Sequence, residues 1–283
     1  MSKELAKLLA QKFIQRRDVK AIQFPNGDYV PDFKMKNPGR HGLGFSMNNL
    51  LDHLDGKSTY GHYVLDTDSH ARLFVFDIDL QKTGNYVIMP GAYDAHADFI
   101  SNKEWDDSVK VIENVNPREL WKSRKKEDAA ARDWYKLQMK TLAHKFTSAI
   151  LEVGVLGGTA AAYSGNKGIH VYGFTGDLDA KEVREGALLV LDMLNEFEPS
   201  RGQNFYRHKN LDPVHGFQNF SIEVFPKQDS LENKSLGNLV RLPLGKNQKS
   251  TDPTFFLDLK SPMAVMRPHP DPIELLKSGN PYV

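Results

Sequence analysis

Hydrophobic positions along the chain change period several times, and each change marks an element. Leu5, Leu8, Leu9 and Phe13 recur at helical spacing within residues 3–17, and the turn residues Pro25, Asn26 and Gly27 close that opening helix. YGHYVLD at 60–66 and ARLFVFDIDL at 71–80 alternate like strands, and the polar TDSH between them predicts a short hairpin. From about 90 to 130 the period fades among scattered Pro, Asp and Lys, which predicts an inserted, mostly surface segment. Residues 129–153 regain a helical period, with Trp134, Leu137, Leu142, Phe146, Ile150 and Leu151 on one broad face and Gly154 as the stop. GTAAAYS and GIHVYGF then read as strands joined by the loop SGNKG, with a helix following over about 180–196. NFSIEVF, NLVRLPL and TFFLDL are three further strands, and from Pro262 five prolines predict a tail that wraps the surface or leads into an extension.

Composition changes this picture only by exclusion. With 40% hydrophobic and 26% charged residues, the 283-residue chain resembles an ordinary folded protein and not a disordered one. No apolar run is long enough to cross a bilayer and the N-terminus lacks a signal core, so the expected location is cytoplasmic. There are no cysteines, which excludes disulfides and thiolate zinc sites and leaves any metal to oxygen or imidazole ligands. A formal charge of +1 gives no global basic field, so a nucleic-acid partner has to be held by a local patch. Without repeats or low-complexity linkers, residues 1–261 read as one unit of two interleaved subdomains and 262–283 as a Pro-rich tail.

Three segments carry candidate chemistry. In the second predicted strand Asp77 and Asp79 share one face while Phe74, Phe76, Ile78 and Leu80 share the other. Two acids about 7 Å apart on a rigid strand repel each other, and a divalent cation relieves that repulsion; alone, the same pair also reads as a solvated strand end. In YSGNKGIHVYGF, Gly165 and Gly168 free the backbone of a tight loop, Lys167 offers a point charge for phosphate, and His170 follows on the strand. A strand histidine by itself also reads as structural. In NFSIEVFPKQ, Glu223 alternates with Ile222 and Val224, and an acid on a buried strand needs a metal or a salt-bridge partner. Arg241, Lys246 and Lys249 follow in GNLVRLPLGKNQK, where an arginine fork suits phosphate oxygens. Two weaker features, DAHAD at 94–98 and the basic KSRKK at 122–126, read as solvated surface more readily than as a metal or template site.

Taken together, FDIDL, SGNKGIH and SIEVF resemble, in order and separation, the archaeo-eukaryotic primase superfamily. The flanking RRDVKAIQ, HLDGKSTYGHYVLD, FPKQD and LGNLVRLPLGKN look like the primase-polymerases of mobile elements, phages and prokaryotic defence loci, over about residues 15 to 260. The resemblance implies an α/β (α+β) fold: an antiparallel sheet of RNA-recognition-motif type carrying the acids, beside an N-terminal α/β module, with a cleft between them. It implies a DNA primase or DNA polymerase that joins nucleotides on a DNA template. Asp77, Asp79 and Glu223 would hold two Mg²⁺ or Mn²⁺ ions, with no zinc; Asp229 is the alternative third acid. Ser164, Lys167, His170 and Arg241 would hold the nucleoside triphosphate. The implied partners are single-stranded template and primer and a replicative helicase, with no membrane. Two other readings stand beside it: a gap-filling repair polymerase that primes poorly, and a non-catalytic DNA-binding protein of replication or defence. Tyr60 and Tyr63 are candidates for contact with the sugar.

Overall fold

A computed structural model describes residues 3–32, 44–88, 109–231, 236–263 and 265–282. The DAHAD run at 94–98 lies outside the described residues. The chain is a mixed α/β protein whose sheets are antiparallel throughout. Its N-terminal part comprises α1 (Lys3–Phe13), β1 (Ala21–Gln23), β2 (Tyr29–Pro31), α2 (Met47–Leu54) and β3 (Tyr60–Tyr63). Then come β4 (His70–Leu80), β5 (Gly84–Ile88), β6 (Lys110–Val115), α3 (Pro117–Lys122) and α4 (Ala129–Val153). β7 (Thr159–Tyr163), β8 (Gly168–Asp179) and α5 (Ala180–Leu194) follow. The remainder holds β9 (Phe197–Pro199), β10 (Phe205–His208), β11 (Phe220–Phe225), β12 (Leu239–Arg241), β13 (Phe255–Phe256) and α6 (Pro272–Ser278).

Seven strands form the main sheet in the order β13-β7-β8-β4-β11-β10-β9, so β4 is central, as its apolar content requires. One face of β4 presents Phe74, Phe76, Ile78 and Leu80 to the core; Phe76 meets Phe146 of α4 with ring centroids 4.6 Å apart. On the other face Phe13 of α1 packs edge-on against Tyr172 and Phe174, at 4.9 and 5.2 Å, covering the level of Leu73 and Val75. Each such side chain, fully buried, contributes roughly 1.5–3 kcal/mol of transfer free energy. That cover stops short of Asp77 and Asp79, which are only partly buried, and the uncovered end of the sheet becomes the floor of a cleft.

The predicted hairpin between 60–66 and 71–80 does not form. β3 belongs to a second sheet, ordered β12-β3-β1-β2, while β4 enters the main one. The turn contains Ser69 at φ 64°, and β3 takes its partners from β1 and from β12, nearly 180 residues onward. The segment after 109 lies mostly at the surface, as expected, and is regular: β6 pairs with β5 as a ribbon, and α3 starts on an Asn116 cap with Pro117 in its first turn. Only Lys122 of the basic KSRKK run is helical. The tail likewise differs from the expected surface wrap. Leu275 and Leu276 of α6 are buried, and the Tyr282 hydroxyl bonds Thr147 Oγ1 at 2.9 Å. Fully buried Lys140 of α4 donates to the carbonyls of Ser261, Pro262 and Val265 at 2.6, 3.1 and 3.3 Å. No helix among the described residues is long and apolar enough to cross a membrane.

Two fully buried histidines make the fold acid-sensitive. Burial pushes His53 down to about 4 and His62 down to about 3, against about 6.5 in the unfolded chain. His53 is served by the Pro243 carbonyl at 2.9 Å and the Tyr60 N–H at 3.2 Å, whereas neither ring nitrogen of His62 has a hydrogen-bond partner. Below about pH 6.5 the unfolded chain binds protons that the folded chain refuses, so stability falls as pH drops, by up to ~1.4 kcal/mol per unit per histidine. Urea midpoints at pH 7 and pH 5 should show the loss. His62→Leu should shrink that difference and raise the pH 7 midpoint, because it removes two unsatisfied buried nitrogens. An unchanged difference would return the acid sensitivity to other groups.

Candidate active site

Register brings distant segments together. Across the main sheet, Ala162 of β7 faces His170 of β8, His170 faces Asp77 of β4, Asp77 faces Glu223 of β11, and Glu223 faces Phe205 of β10. Directly opposed residues share a face with Cβ atoms about 4.5–5.5 Å apart, so Glu223, Asp77 and His170 form one row. Asp79 stands two residues along β4, opposite Gly168. The three acids line a cleft of about 600 Å³ together with Gln81, Lys82, Arg118, Arg201, Phe205, Arg207 and Ser221.

Each acid has a basic neighbour. Lys167 ion-pairs with Asp79, Lys227 with Glu223, and His170 Nε2 lies 3.4 Å from Asp77 Oδ1. The last contact falls short of hydrogen-bond geometry, leaving Asp77 Oδ1 buried without a donor. Tyr172, fully buried, places its hydroxyl 3.1 Å from His170 Nδ1. Burial holds the Tyr172 phenol above its ordinary range, so it stays protonated and can donate to Nδ1, which leaves the ring proton on Nε2, the nitrogen 3.4 Å from Asp77.

The acids do not titrate alike. Burial opposes the charged form of Asp77, yet His170, Lys167 and Arg241 outweigh it and hold its carboxyl below the usual range. Asp79 is pushed up, first by burial and then by the charge of Asp77, against the pull of Lys167. Glu223 is also pushed up by burial, with Lys227 opposing and the two aspartates adding. Hard oxygen donors crowded so that Asp79 and Glu223 are pushed up by burial and by neighbouring carboxylates form a set that a divalent cation would relieve, and the donorless oxygen of Asp77 fits the same need.

The loop behind Asp79 is built to close approach. Gly165 has φ +71°, a conformation open to glycine, and the Ser164 N–H donates to the Gly168 carbonyl at 3.0 Å. Tyr163 Oη and Trp121 Nε1 both donate to the Asn166 carbonyl, so α3 braces the loop. Ser164 is buried and Lys167 leans to Asp79, while Arg241 sits on β12 opposite Gly61 and reaches Asp77 electrostatically. Asp229, the other candidate acid, instead pairs with Arg184 at 3.5 Å, with half its side chain exposed. Tyr60 and Tyr63 are buried in β3 and line no part of the cleft.

Sequence reasoning missed Lys227, Arg118, Arg201, Phe205 and Arg207. Lys227 follows Glu223 by four residues and lies over the rings of Phe205 and Phe225, at 5.7 and 4.7 Å. A periodic strand followed by a lysine signals none of this. A second acidic group was missed as well: Asp66, His70 and Asp177 bring ligand-type atoms within 4.8 Å of one another. His70 stands seven residues before Asp77 on β4, on the order of 23 Å away by strand rise, and the Gln15 amide already donates to Asp177 at 2.8 Å and to Asp66.

No curated protein matches the sequence. A family model described as the archaeo-eukaryotic primase domain of the TOTE conflict system matches residues 4–281, from α1 through α6, and family members generally use divalent metals. The chain therefore belongs to the archaeo-eukaryotic primase family of TOTE conflict systems, a primase-polymerase type of nucleotidyltransferase.

Proposed function

We propose that this chain is a DNA primase-polymerase that joins nucleotides on a DNA template at the Asp77, Asp79 and Glu223 cluster. The observation that supports it most is the in-register row of Glu223, Asp77 and His170, with Lys167 on the neighbouring Asp79. Phosphoryl transfer asks a protein for alignment and charge neutralisation more than for covalent help. Asp77, Asp79 and Glu223 would hold two Mg²⁺ or Mn²⁺ ions, which when bound lower the pKa of the attacking 3′ hydroxyl and neutralise the phosphates. Lys167, His170, Ser164 and Arg241 would hold the triphosphate. Lys167 adds a compact charge, Arg241 a fork for two oxygens, and His170 an Nε2–H kept in place by Tyr172.

Primer-free synthesis on single-stranded DNA, run with ribo- and deoxyribonucleotides and with Mg²⁺ or Mn²⁺, tests this reading. Products of two or more nucleotides are expected without primer. Extension of a primed template with none made primer-free would assign the chain to gap filling. No incorporation under any of these conditions would leave a DNA-binding protein that keeps the fold.

A further inference from the structure

Resting on that reading, the geometry points to the β9–β10 side of the cleft as the seat of the nucleic-acid strand whose 3′ oxygen attacks. In an in-line displacement the attacking oxygen and the leaving pyrophosphate lie on opposite sides of the α-phosphorus. The proposed triphosphate ligands Lys167 and His170 stand on β8 and the loop before it, one flank of the acid row. The strand must then enter from the other flank, past Glu223.

That flank has the matching chemistry. Next in the row beyond Glu223 comes Phe205, a ring on which a terminal base can stack. Around it the cleft wall gathers Lys82 after β4, Arg118 at the start of α3, Arg201 between β9 and β10, and Arg207 on β10. Arg118 is aimed by its Nε–H bond to the Leu80 carbonyl at 2.6 Å, and Arg207 is braced by Glu198 at 2.8 Å. Lys82 and Arg201 are exposed and make no ion pair among the described residues. These four cations are not the ion-pair partners of the three acids, whose basic neighbours are Lys167, His170 and Lys227. They suit a phosphodiester backbone led toward the row, and a chain with a net charge of +1 has no global basic field, so a strand has to be held by a local patch of this kind.

The double variant Lys82→Ala/Arg201→Ala tests this, with its fold checked by circular dichroism. Fluorescence anisotropy on a labelled primed DNA template should show Kd rising tenfold or more. The slope of log affinity against log salt should fall by about 1.4–1.8, the share of two phosphate contacts. Affinity for deoxyadenosine triphosphate should stay within twofold. Arg201→Glu should weaken strand binding further, again without effect on the nucleotide. Unchanged strand affinity, or no binding of the primed template by the unaltered protein, overturns the proposal; so does a loss confined to the nucleotide, which would place the triphosphate on this flank. Binding without incorporation by the unaltered protein would sink the catalytic reading and still leave the strand seat standing on its own Kd.

Discussion

Alanine at both Asp77 and Asp79 is expected to abolish nucleotide incorporation, by about a thousandfold or more, while the protein stays folded. The two carboxylates face the cleft and not the core: Phe76, Ile78 and Leu80 on the opposite face hold β4 in place, and those are untouched. The charge of Asp79 is moreover a burden in the ion-free protein, since burial and Asp77 both push its carboxyl up. Deleting the pair relieves that repulsion but also removes the attraction of His170, Lys167 and Arg241 that holds Asp77 low, so the two effects offset and thermal midpoints measured in chelator should change little. The catalytic loss is of a different size. If Asp77 and Asp79 hold the ions that neutralise the transferring phosphate, removing them forfeits several kcal/mol of transition-state stabilisation, and about 4 kcal/mol is a thousandfold in rate. A second readout needs no turnover. Mn²⁺ at a hundred times its Kd should stabilise the unaltered protein by roughly 2.7 kcal/mol and raise its melting temperature, with no shift in the double variant. Primer extension by the variant at more than a few per cent of the normal rate would remove the metal assignment, and an undiminished Mn²⁺ shift would move the ion elsewhere, with Asp66, His70 and Asp177 the first place to look.

What the sequence makes legible here is the face of each element, and what it hides is the neighbour. The period of Trp134, Leu137, Leu142 and Phe146 gives α4 over residues 129–153, and the alternation of FVFDIDL puts the two aspartates on one side of a buried strand. Both follow from local geometry, 3.6 residues per turn and two per pleat. Pairing is not local. β3 and β4 look like a hairpin because a polar turn lies between them, yet β3 is drawn into a sheet completed by β12. The same blindness hides the cleft wall: Arg118 arrives on a six-residue helix, Arg201 in the turn between β9 and β10, and Arg207 on the short β10. Residues 262–283 read as surface from their prolines, because the sequence does not reveal that Leu275 and Leu276 are buried, that Lys277 pairs with Glu4 of α1, or that the Tyr282 hydroxyl meets Thr147 of α4. The short words FDIDL, SGNKGIH and SIEVF make the family legible because each is contiguous in the chain, and the register sets them on adjacent strands.

Gly168→Ala is expected to damage fold and site together, by a cause the sequence does not show. As a loop glycine, Gly168 reads as conformational freedom; in the structure its φ is not in the left-handed region, and what it supplies is space. It stands opposite Asp79, where an added Cβ would collide with the Ile78 carbonyl oxygen and the Asp79 carboxylate. Neither strand can retreat easily. The Leu80 N–H donates to the Lys167 carbonyl at 3.0 Å, and the Ser164 N–H to the carbonyl of Gly168 itself at 3.0 Å, so the clash sits inside a closed hydrogen-bonded corner. Overpacking of this kind costs roughly 1–3 kcal/mol, and the least costly relief, parting β8 from β4, draws Lys167 away from Asp79 and tilts that carboxylate. The urea midpoint and the incorporation rate should therefore fall together. Gly176→Ala is the control: its φ of +82° makes alanine costly by roughly 1–2 kcal/mol, but nothing lies within 4 Å of the new methyl. It should lose stability alone. Full activity in Gly168→Ala would show that Asp79 tolerates movement, and the tight corner behind it would then matter only for folding.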